Sequence, residues 1–196
     1  KIEISKGVIM NQFKAGAGLP NIERVVIKYI LVPLVRLLFT WNISLFLIKK
    51  EENKIKNLIK NISKEDLQKR VFIKRALAIE DHSRDYSINM CLEHLRITGT
   101  ALMAVIEILS CEKEFSRPIT IEAVKPKDNA IDESEKFFEF MDKYKTYIKN
   151  HKKNYSKMTK AHPWFVNFNN SDWSCFMFMH TFIHRRQIQA IIKDLK

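Results

Sequence analysis

Four segments of the chain carry mainly apolar residues at alternating spacings of three and four, interrupted only at Glu52 in the first, and this is the pattern of a helix with one buried face. The four stripes are Leu34, Leu38, Trp41, Leu45, Ile48, Ile55, Ile59 and Ile62; Ser87, Met90, His94, Ile97, Ala101, Ala104 and Ile108; Phe137, Met141, Tyr144, Ile148 and His151; and Trp173, Met177, His180, His184, Gln187 and Ile191. Such stripes can be buried only against one another. The sequence therefore predicts an all-α fold, a four-helix bundle with a short N-terminal extension.

The scarcity of turn residues supports this fold class. Only four Gly and five Pro occur in 196 residues, too few for a sandwich or barrel that turns every 8 to 12 residues or so. The three cysteines, Cys91, Cys111 and Cys175, form no CxxC pair. A disulfide framework and a cysteine-rich zinc site are therefore disfavoured, and a reducing, cytoplasmic location is expected.

Two regions are expected from the pattern along the chain. Residues 1–29 form an irregular arm and a short helix capped by Asn21, and residues 30–196 form the bundle. Between the first and second stripes, Val71 to Leu77 is predicted as a short helical turn. Ser110 to Ile131, which contains two prolines and many charges, is predicted as a long exposed connection.

One run is hydrophobic enough to be considered as a membrane span. Ile30 to Ile48 lies between two lysines and approaches the roughly 20 residues that cross a bilayer. Pro33 and Arg36 interrupt it, and an arginine at mid-membrane costs about 2.5 to 3.5 kcal/mol. We therefore interpret the run as a buried core helix, and no membrane partner is expected.

Positive charge is concentrated at the two ends of the chain. The net charge is +12, and seven lysines fall between Lys143 and Lys160 with Tyr144, Tyr147 and Tyr155 among them. Lysines with tyrosines can bind nucleic acid through phosphates and base stacking. Tyr144 lies on a predicted core stripe, however, and the lysines scatter around the helix. A solvated face is the better interpretation, and specific nucleic-acid binding is not expected.

Three histidines lie on the predicted core stripes. His180 and His184 are four residues apart, so both project from one helix face, and His94 lies near the middle of another stripe. Burying a neutral imidazole without a partner costs roughly 1 to 3 kcal/mol. A divalent metal ion bound by His94, His180 and His184 would remove that cost, with zinc the first candidate and nickel the second.

The surrounding residues limit what such a metal site could do. The segment His180-Thr-Phe-Ile-His184 lacks the glutamate of HExxH, so no general base of the zincin type is present at that spacing. Three neutral ligands leave a coordination position open, which is typical of catalytic zinc. Cys91 is a candidate fourth ligand, although a free buried cysteine is more often a small apolar filler.

Three other polar residues are assigned weaker roles. His82 is predicted to be a surface loop residue, and His162, which precedes a proline, is predicted to fix its loop or line the mouth of the pocket. Gln187 follows His184 on the stripe. It could hydrogen-bond a ligand imidazole or a substrate, or simply join two helices.

Three segments carry a resemblance to a known family. Arg84 to Leu95 reads RDYSINMCLEHL, His162 to Phe165 reads HPWF, and His180 to Ile188 reads HTFIHRRQI. Together they resemble the DinB or YfiT-like metalloenzymes over roughly residues 30–193, although Val166 stands where similar sequences often have glycine. The resemblance implies a four-helix bundle that binds a divalent metal through residues matching His94, His180 and His184.

The resemblance also suggests a reaction, because members of this family transfer low-molecular-weight thiols to electrophiles. The first hypothesis is therefore a metal-dependent enzyme with a small-molecule substrate and a small thiol as partners. A metal-dependent hydrolase is the second. The third is a non-catalytic binding or membrane-peripheral protein in which the metal acts as a clamp and a fourth protein ligand closes the site. Association of two copies of the chain into a homodimer is compatible with the sequence.

Overall fold

The computed structural model describes residues 18–127 and 130–195, and these contain seven α-helical segments. They are α1 (Asn21–Val26), which continues through a π-helical turn (Ile27–Leu31) into α2 (Val32–Leu38), then α3 (Trp41–Ile59), α4 (Lys64–Gln68), α5 (Ile88–Ser110), α6 (Ser134–Asn150) and α7 (Asn170–Leu195). Single 3-10 turns occupy Asp81–Ser83 and Glu122–Val124. Strand β1 (Lys160–Ala161) pairs antiparallel with β2 (Asn167–Phe168).

The four long helices α3, α5, α6 and α7 form the predicted bundle. Helix α7 packs against α3 and α5, and α6 packs against the same two helices from the other side. Around the bundle the order is thus α3, α7, α5 and α6. Large side chains from all four helices are almost fully buried between them, among them Ile48, Leu95, Tyr144 and Trp173. The all-α fold is confirmed.

Side-chain hydrogen bonds mark the first turns of α5 and α6. The Ser87 hydroxyl accepts from the Met90 amide at 3.1 Å and so caps α5. Asp132 Oδ1 accepts from the Ser134 amide at 2.9 Å at the start of α6. These caps satisfy amides that a helix cannot pair internally.

The first predicted helix is broken, which corrects the expectation of one helix from Leu34 to Ile62. Phe39 adopts extended backbone angles, and Thr40 caps α3 by accepting from the Ile43 amide at 3.3 Å. The axes of 21–38 and 41–59 differ in direction by 105°. Consequently Leu34 and Leu38 are exposed at the surface, not buried in a core helix.

This bend also bears on the hydrophobic run between the two lysines. Among the described helices, no single one has the length and hydropathy needed to cross a membrane. The pair 21–38 and 41–59 meets those criteria only together, across the 105° bend.

The segment before α5 is extended, which corrects the helical turn predicted for Val71 to Leu77. The Ile73 amide donates to the Arg84 carbonyl at 2.9 Å, so the chain doubles back on itself there. The β-branched and aromatic residues Val71, Phe72 and Ile73 favour this conformation. The short helix lies earlier, at α4, where the Ser63 hydroxyl accepts from the Asp66 amide.

The connection between α5 and α6 is folded onto the bundle, whereas an exposed connection was predicted for Ser110 to Ile131. Phe115 and Ile119 pack against the hydrophobic core. The Lys127 amide donates to Glu93 Oε2 of α5 at 2.8 Å. Residues 128–129, within this connection, lie outside the described residues.

The predicted N-terminal arm lies outside the described residues up to residue 17. The short helix is present as α1, but Asn21 is its first residue, and Pro20, not Asn21, occupies the N-cap position. Gly18, the first described residue, has a φ of 90°, which glycine adopts without strain. Its amide donates to Glu80 Oε1 at 2.8 Å. The start of the described chain is thereby tied to the segment that precedes α5.

Close packing of α5 against α6 depends on Gly99. A Cβ atom at this position would lie 2.6 Å from Phe140 Cε1 and 3.0 Å from Met177 Cε. We expect Gly99→Ala to lower the free energy of unfolding by about 1 to 3 kcal/mol, because overpacking a dense core outweighs the helix preference of alanine. Urea denaturation measures the change.

Two variants control this prediction. Thr100→Ala, at the exposed neighbouring position, should change stability by no more than about 0.5 kcal/mol. Adding Phe140→Leu to Gly99→Ala should recover part of the loss, because it removes the ring that the new methyl group meets. Unchanged stability in Gly99→Ala would show that the two helices separate without cost.

Candidate metal centre

The three predicted histidines meet between α5 and α7. His94 projects from α5, and His180 and His184 project one turn apart from α7. One ring nitrogen of each lies within 4.8 Å of the other two, and the ring centroids are 4.6 to 4.9 Å apart. The predicted spatial grouping is therefore present in the structure.

His94 is oriented by the backbone of the α5–α6 connection. Its Nδ1 lies 2.7 Å from the carbonyl oxygen of Val124. A carbonyl can only accept, so Nδ1 carries the proton and Nε2 presents its lone pair to the other two histidines. A neutral imidazole held this way by its second nitrogen is the usual arrangement of a metal ligand.

His184 is oriented in the same manner by Gln187. The His184 Nδ1 lies 2.7 Å from Gln187 Oε1, and Gln187 Nε2 donates to the Ser83 carbonyl at 2.7 Å. Because that carbonyl must receive an N–H, the amide oxygen of Gln187 faces the imidazole and accepts from Nδ1. Of the roles considered for Gln187, the structure supports the bond to a ligand imidazole.

His180 has a buried nitrogen without a partner. Its Nδ1 is buried and makes no hydrogen bond with any described residue, while its Nε2 lies 2.9 Å from Nε2 of His94. Since the His94 Nε2 has a lone pair, His180 must place a proton between the two nitrogens, or both must share a cation. Three imidazoles that each bring one nitrogen into the same small space fit a divalent ion such as zinc or nickel.

The electrostatics keep these imidazoles in the form that binds metal. Burial lowers the pKa of His94 to about 4, although the Val124 carbonyl acts in the opposite direction. Burial first, and then the neighbouring imidazoles, hold the pKa of His180 and that of His184 well below the usual value. All three rings are therefore neutral near pH 7, as ligation requires.

A cavity of about 670 Å³ opens from the three histidines. Its walls come mainly from five parts of the chain: the helical segment 21–38, the segment before α5, helix α5, the α5–α6 connection and the HPWF loop with α7. Representative lining residues are Ile27, Leu31, Val32, Val35, Leu102, Val105, Phe115, Ile119, Trp164, Phe165, Phe176 and Met179. Because these walls are mainly apolar, the cavity suits an apolar molecule of drug-like size.

A carboxylate, an imidazole and a phenol line the same cavity, and the sequence prediction missed them as a group. His82 Nδ1 lies 2.6 Å from Glu80 Oε2, and His82 Nε2 lies 3.3 Å from the Tyr86 hydroxyl. The side chain of His82 is only 10% exposed, so its assignment as a surface loop residue is wrong. An imidazole beside a carboxylate at a cavity wall can accept and return a proton.

The other sulfur and imidazole candidates have structural roles. Cys91 is fully buried in the hydrophobic core, burial raises the pKa of its thiol, and it does not belong to the histidine group. His162 lines the cavity, stacks on Phe165 with centroids 4.3 Å apart and accepts from the Trp164 amide at 3.2 Å, as its loop-fixing role predicted. Across residues 18–127 and 130–195, no fourth His, Cys, Asp or Glu completes the group.

The lysine-rich segment offers few aromatic rings for base stacking. Tyr144 is fully buried, and the Tyr147 hydroxyl donates to Glu107 Oε2 at 2.9 Å, whereas Tyr155 is exposed. The lack of specific nucleic-acid binding stays a prediction.

Comparisons with known proteins give no family assignment, because no family model, curated protein or solved structure matches the chain.

We expect metal-free protein to bind about one zinc or nickel ion per chain. His94→Ala, His180→Ala and His184→Ala should each weaken binding more than about 100-fold, because losing a ligand costs more than losing the hydrogen bond that supports it. Gln187→Leu keeps all three ligands and should weaken binding about 10- to 100-fold, the range for such supporting bonds. Calorimetric titration and elemental analysis measure affinity and stoichiometry.

A histidine outside the group provides the control. His151→Gln should leave metal binding unchanged, since His151 bonds Ser110 and stacks on Trp41. Full metal content in the double variant His180→Ala and His184→Ala would place the site elsewhere.

We also expect His162 to make stability depend on pH. Its pKa falls from the ordinary 6.5 to about 3 through burial, so the unfolded chain binds a proton that the folded chain excludes. The contribution of His162 to the free energy of unfolding is therefore complete above pH 6.5. It decreases by up to about 1.4 kcal/mol per pH unit as the pH falls from 6.5 toward about 3.

Replacing the ring with His162→Phe should remove this contribution. Urea denaturation of metal-free protein between pH 7 and pH 4 should show a smaller loss of stability in the variant than in the parent. A parent-to-variant difference that is constant with pH would contradict the assignment.

Proposed function

We propose that the chain is a metal-dependent enzyme of the DinB-like class that acts on a small apolar molecule. The observation that carries this proposal is the position of the three neutral imidazoles, which lie at the wall of an apolar cavity of about 670 Å³. His94, His180 and His184 would hold the ion, with zinc first and nickel second. The resemblance of the RDYSINMCLEHL, HPWF and HTFIHRRQI segments supports the class.

The most concrete reaction is transfer of a low-molecular-weight thiol to an electrophile. When bound, the ion would supply a positive charge that favours the thiolate form of a small thiol. A bond between sulfur and carbon forms, the leaving group departs with its electron pair, and the thiol proton must be removed. The apolar walls exclude water from this step.

Residues of the chain itself would handle that proton. His82 is the acceptor that we assign, because Glu80 stands 2.6 Å from its Nδ1 and would stabilise the imidazolium that forms. Tyr86 lies between this pair and the histidine group, with its ring centroid 6.0 Å from that of His82 and 6.4 Å from that of His94. No cysteine of the chain is needed as a nucleophile.

A metal-dependent hydrolase is the second candidate, and the same Glu80–His82 pair favours it. The HTFIH segment lacks the general base of a zincin, and this pair would supply one from another part of the chain. A non-catalytic metal clamp ranks third, because within the described part of the chain no fourth protein ligand closes the site.

We expect metal-loaded protein to conjugate a chromogenic aryl halide with at least one thiol from a panel of glutathione, cysteine and bacillithiol. Activity should require the metal and be lost in His94→Ala. His82→Asn should retain the metal and lower the rate by about 10²- to 10⁴-fold, the usual contribution of a general base. Tyr155→Phe, at an exposed site away from the cavity, is the matched control.

The outcomes separate the candidates. Metal-dependent cleavage of nitrophenyl esters, with no conjugation of any thiol, would favour the hydrolase. Absence of both activities in protein that binds the metal would favour the clamp.

A further inference from the structure

The helical segment 21–38, which we call the N-terminal strap, has two apolar sides. Its inner side closes the cavity with Ile27, Leu31 and Val32. Its outer side is exposed, and Ile22 and Leu37 are 79% and 80% accessible. Packing against the rest of the protein therefore covers only the inner side of the strap and leaves its outer apolar side exposed.

Exposed apolar side chains recur along the strap, and two more are exposed in the first turns of α3. Together they are Ile22, Val25, Val26, Tyr29, Ile30, Leu34, Leu37, Leu38, Ile43 and Phe46. Single exposed apolar residues are normal on a protein surface, but a group of ten on consecutive helices marks a site of interaction. We call this group the apolar face.

The charges around the apolar face are positive. Arg24 and Lys28 are exposed on the strap, and Lys49 and Lys50 are exposed just beyond Phe46 on α3. Glu23, the only acidic residue of the strap, turns away from this face and pairs with Arg75 at 2.7 Å.

The nearest acidic residues of α3 are buried, and each forms an ion pair with a residue of another helix. Glu51 is buried and pairs with Arg185 at 2.7 Å. Glu52 is buried and pairs with Lys145 at 2.6 Å. Within the strap and α3, these carboxylates therefore pair with Arg75, Arg185 and Lys145 and not with the basic side chains that flank the apolar face.

We propose that the apolar face docks on an anionic lipid surface. Apolar side chains with flanking lysines are the composition of a helix that lies in the headgroup region, and each nearby basic residue adds attraction to anionic lipid. Lys28 Nζ lies 5.1 Å from the centroid of Tyr29, and Lys50 Nζ lies 4.5 Å from that of Phe46. These pairs place an aromatic ring beside a cation, as at a lipid–water boundary.

A second copy of the chain is a poorer occupant of this face. Two copies would bring the same basic side chains together, and each chain already has a net charge of +12. Repulsion between like charges opposes that contact, whereas an anionic surface neutralises it.

Hydrogen bonds to the bundle hold the strap in place, which favours docking on a membrane surface over insertion across the bilayer. Arg36 bonds Asp172 of α7 through two nitrogens, at 3.0 and 2.7 Å, and also donates to the Asn167 carbonyl at 2.8 Å. With the 105° bend that follows, this anchor holds the strap along the body of the protein. The proposal does not rest on metal binding or on catalysis.

The test is flotation of the full chain with lipid vesicles. We expect at least tenfold tighter binding to vesicles with about one-third phosphatidylserine than to phosphatidylcholine alone, and partial release by high salt. The double variant Ile30→Ser and Leu37→Ser should weaken binding at least tenfold. Lys28→Glu with Lys50→Glu should abolish the preference for phosphatidylserine.

Matched substitutions outside the apolar face control for general loss of hydrophobicity. Ile131→Ser with Tyr155→Ser alters two other exposed apolar side chains and should leave binding unchanged. Circular dichroism checks that each variant stays helical. No vesicle binding, equal binding to both lipids, or a dimer that Leu37→Ser dissociates in sedimentation would overturn the proposal.

Discussion

Burial of three neutral imidazoles between α5 and α7 is the constraint on which the rest of the site depends. Each buried ring needs a partner for both nitrogens, or the fold loses about 1 to 3 kcal/mol per unsatisfied group. The chain supplies a carbonyl for His94 and an amide for His184, while Nδ1 of His180 has neither. Two connections that fold back onto the bundle supply these hydrogen bonds. The Val124 carbonyl accepts from His94, and the Ser83 carbonyl accepts from Gln187, which in turn orients His184.

The position of His82 and the orientation of His184 depend on the same segment of the chain. Ser83 holds Gln187, which orients His184, and Ser83 is adjacent in sequence to His82. Glu80 in turn contacts both His82 and the Gly18 amide. A short stretch of backbone before α5 therefore sets the positions of His82, of the His184 imidazole and of the start of the described chain.

Features that depend on one helix face could be predicted from the sequence, whereas features that depend on contacts between distant segments could not. The stripes fixed the four long helices and the grouping of His94, His180 and His184, because side-chain direction follows from helical spacing. The break at Thr40 lay within an unbroken apolar stripe, so periodicity gave no sign of it. His82 could not be placed at the cavity, because its position depends on a doubled-back segment whose hydrogen bonds are tertiary.

One helical strap serves both as a wall of the cavity and as an exposed apolar face. If that face rests on a bilayer, a lipophilic substrate reaches the cavity at its concentration in the membrane, which partitioning raises above that in water. The apparent KM expressed per volume of solution would then vary with the amount of lipid present. Adding vesicles without substrate would dilute the substrate over more surface and slow turnover, so the proposed enzyme would follow surface-dilution kinetics.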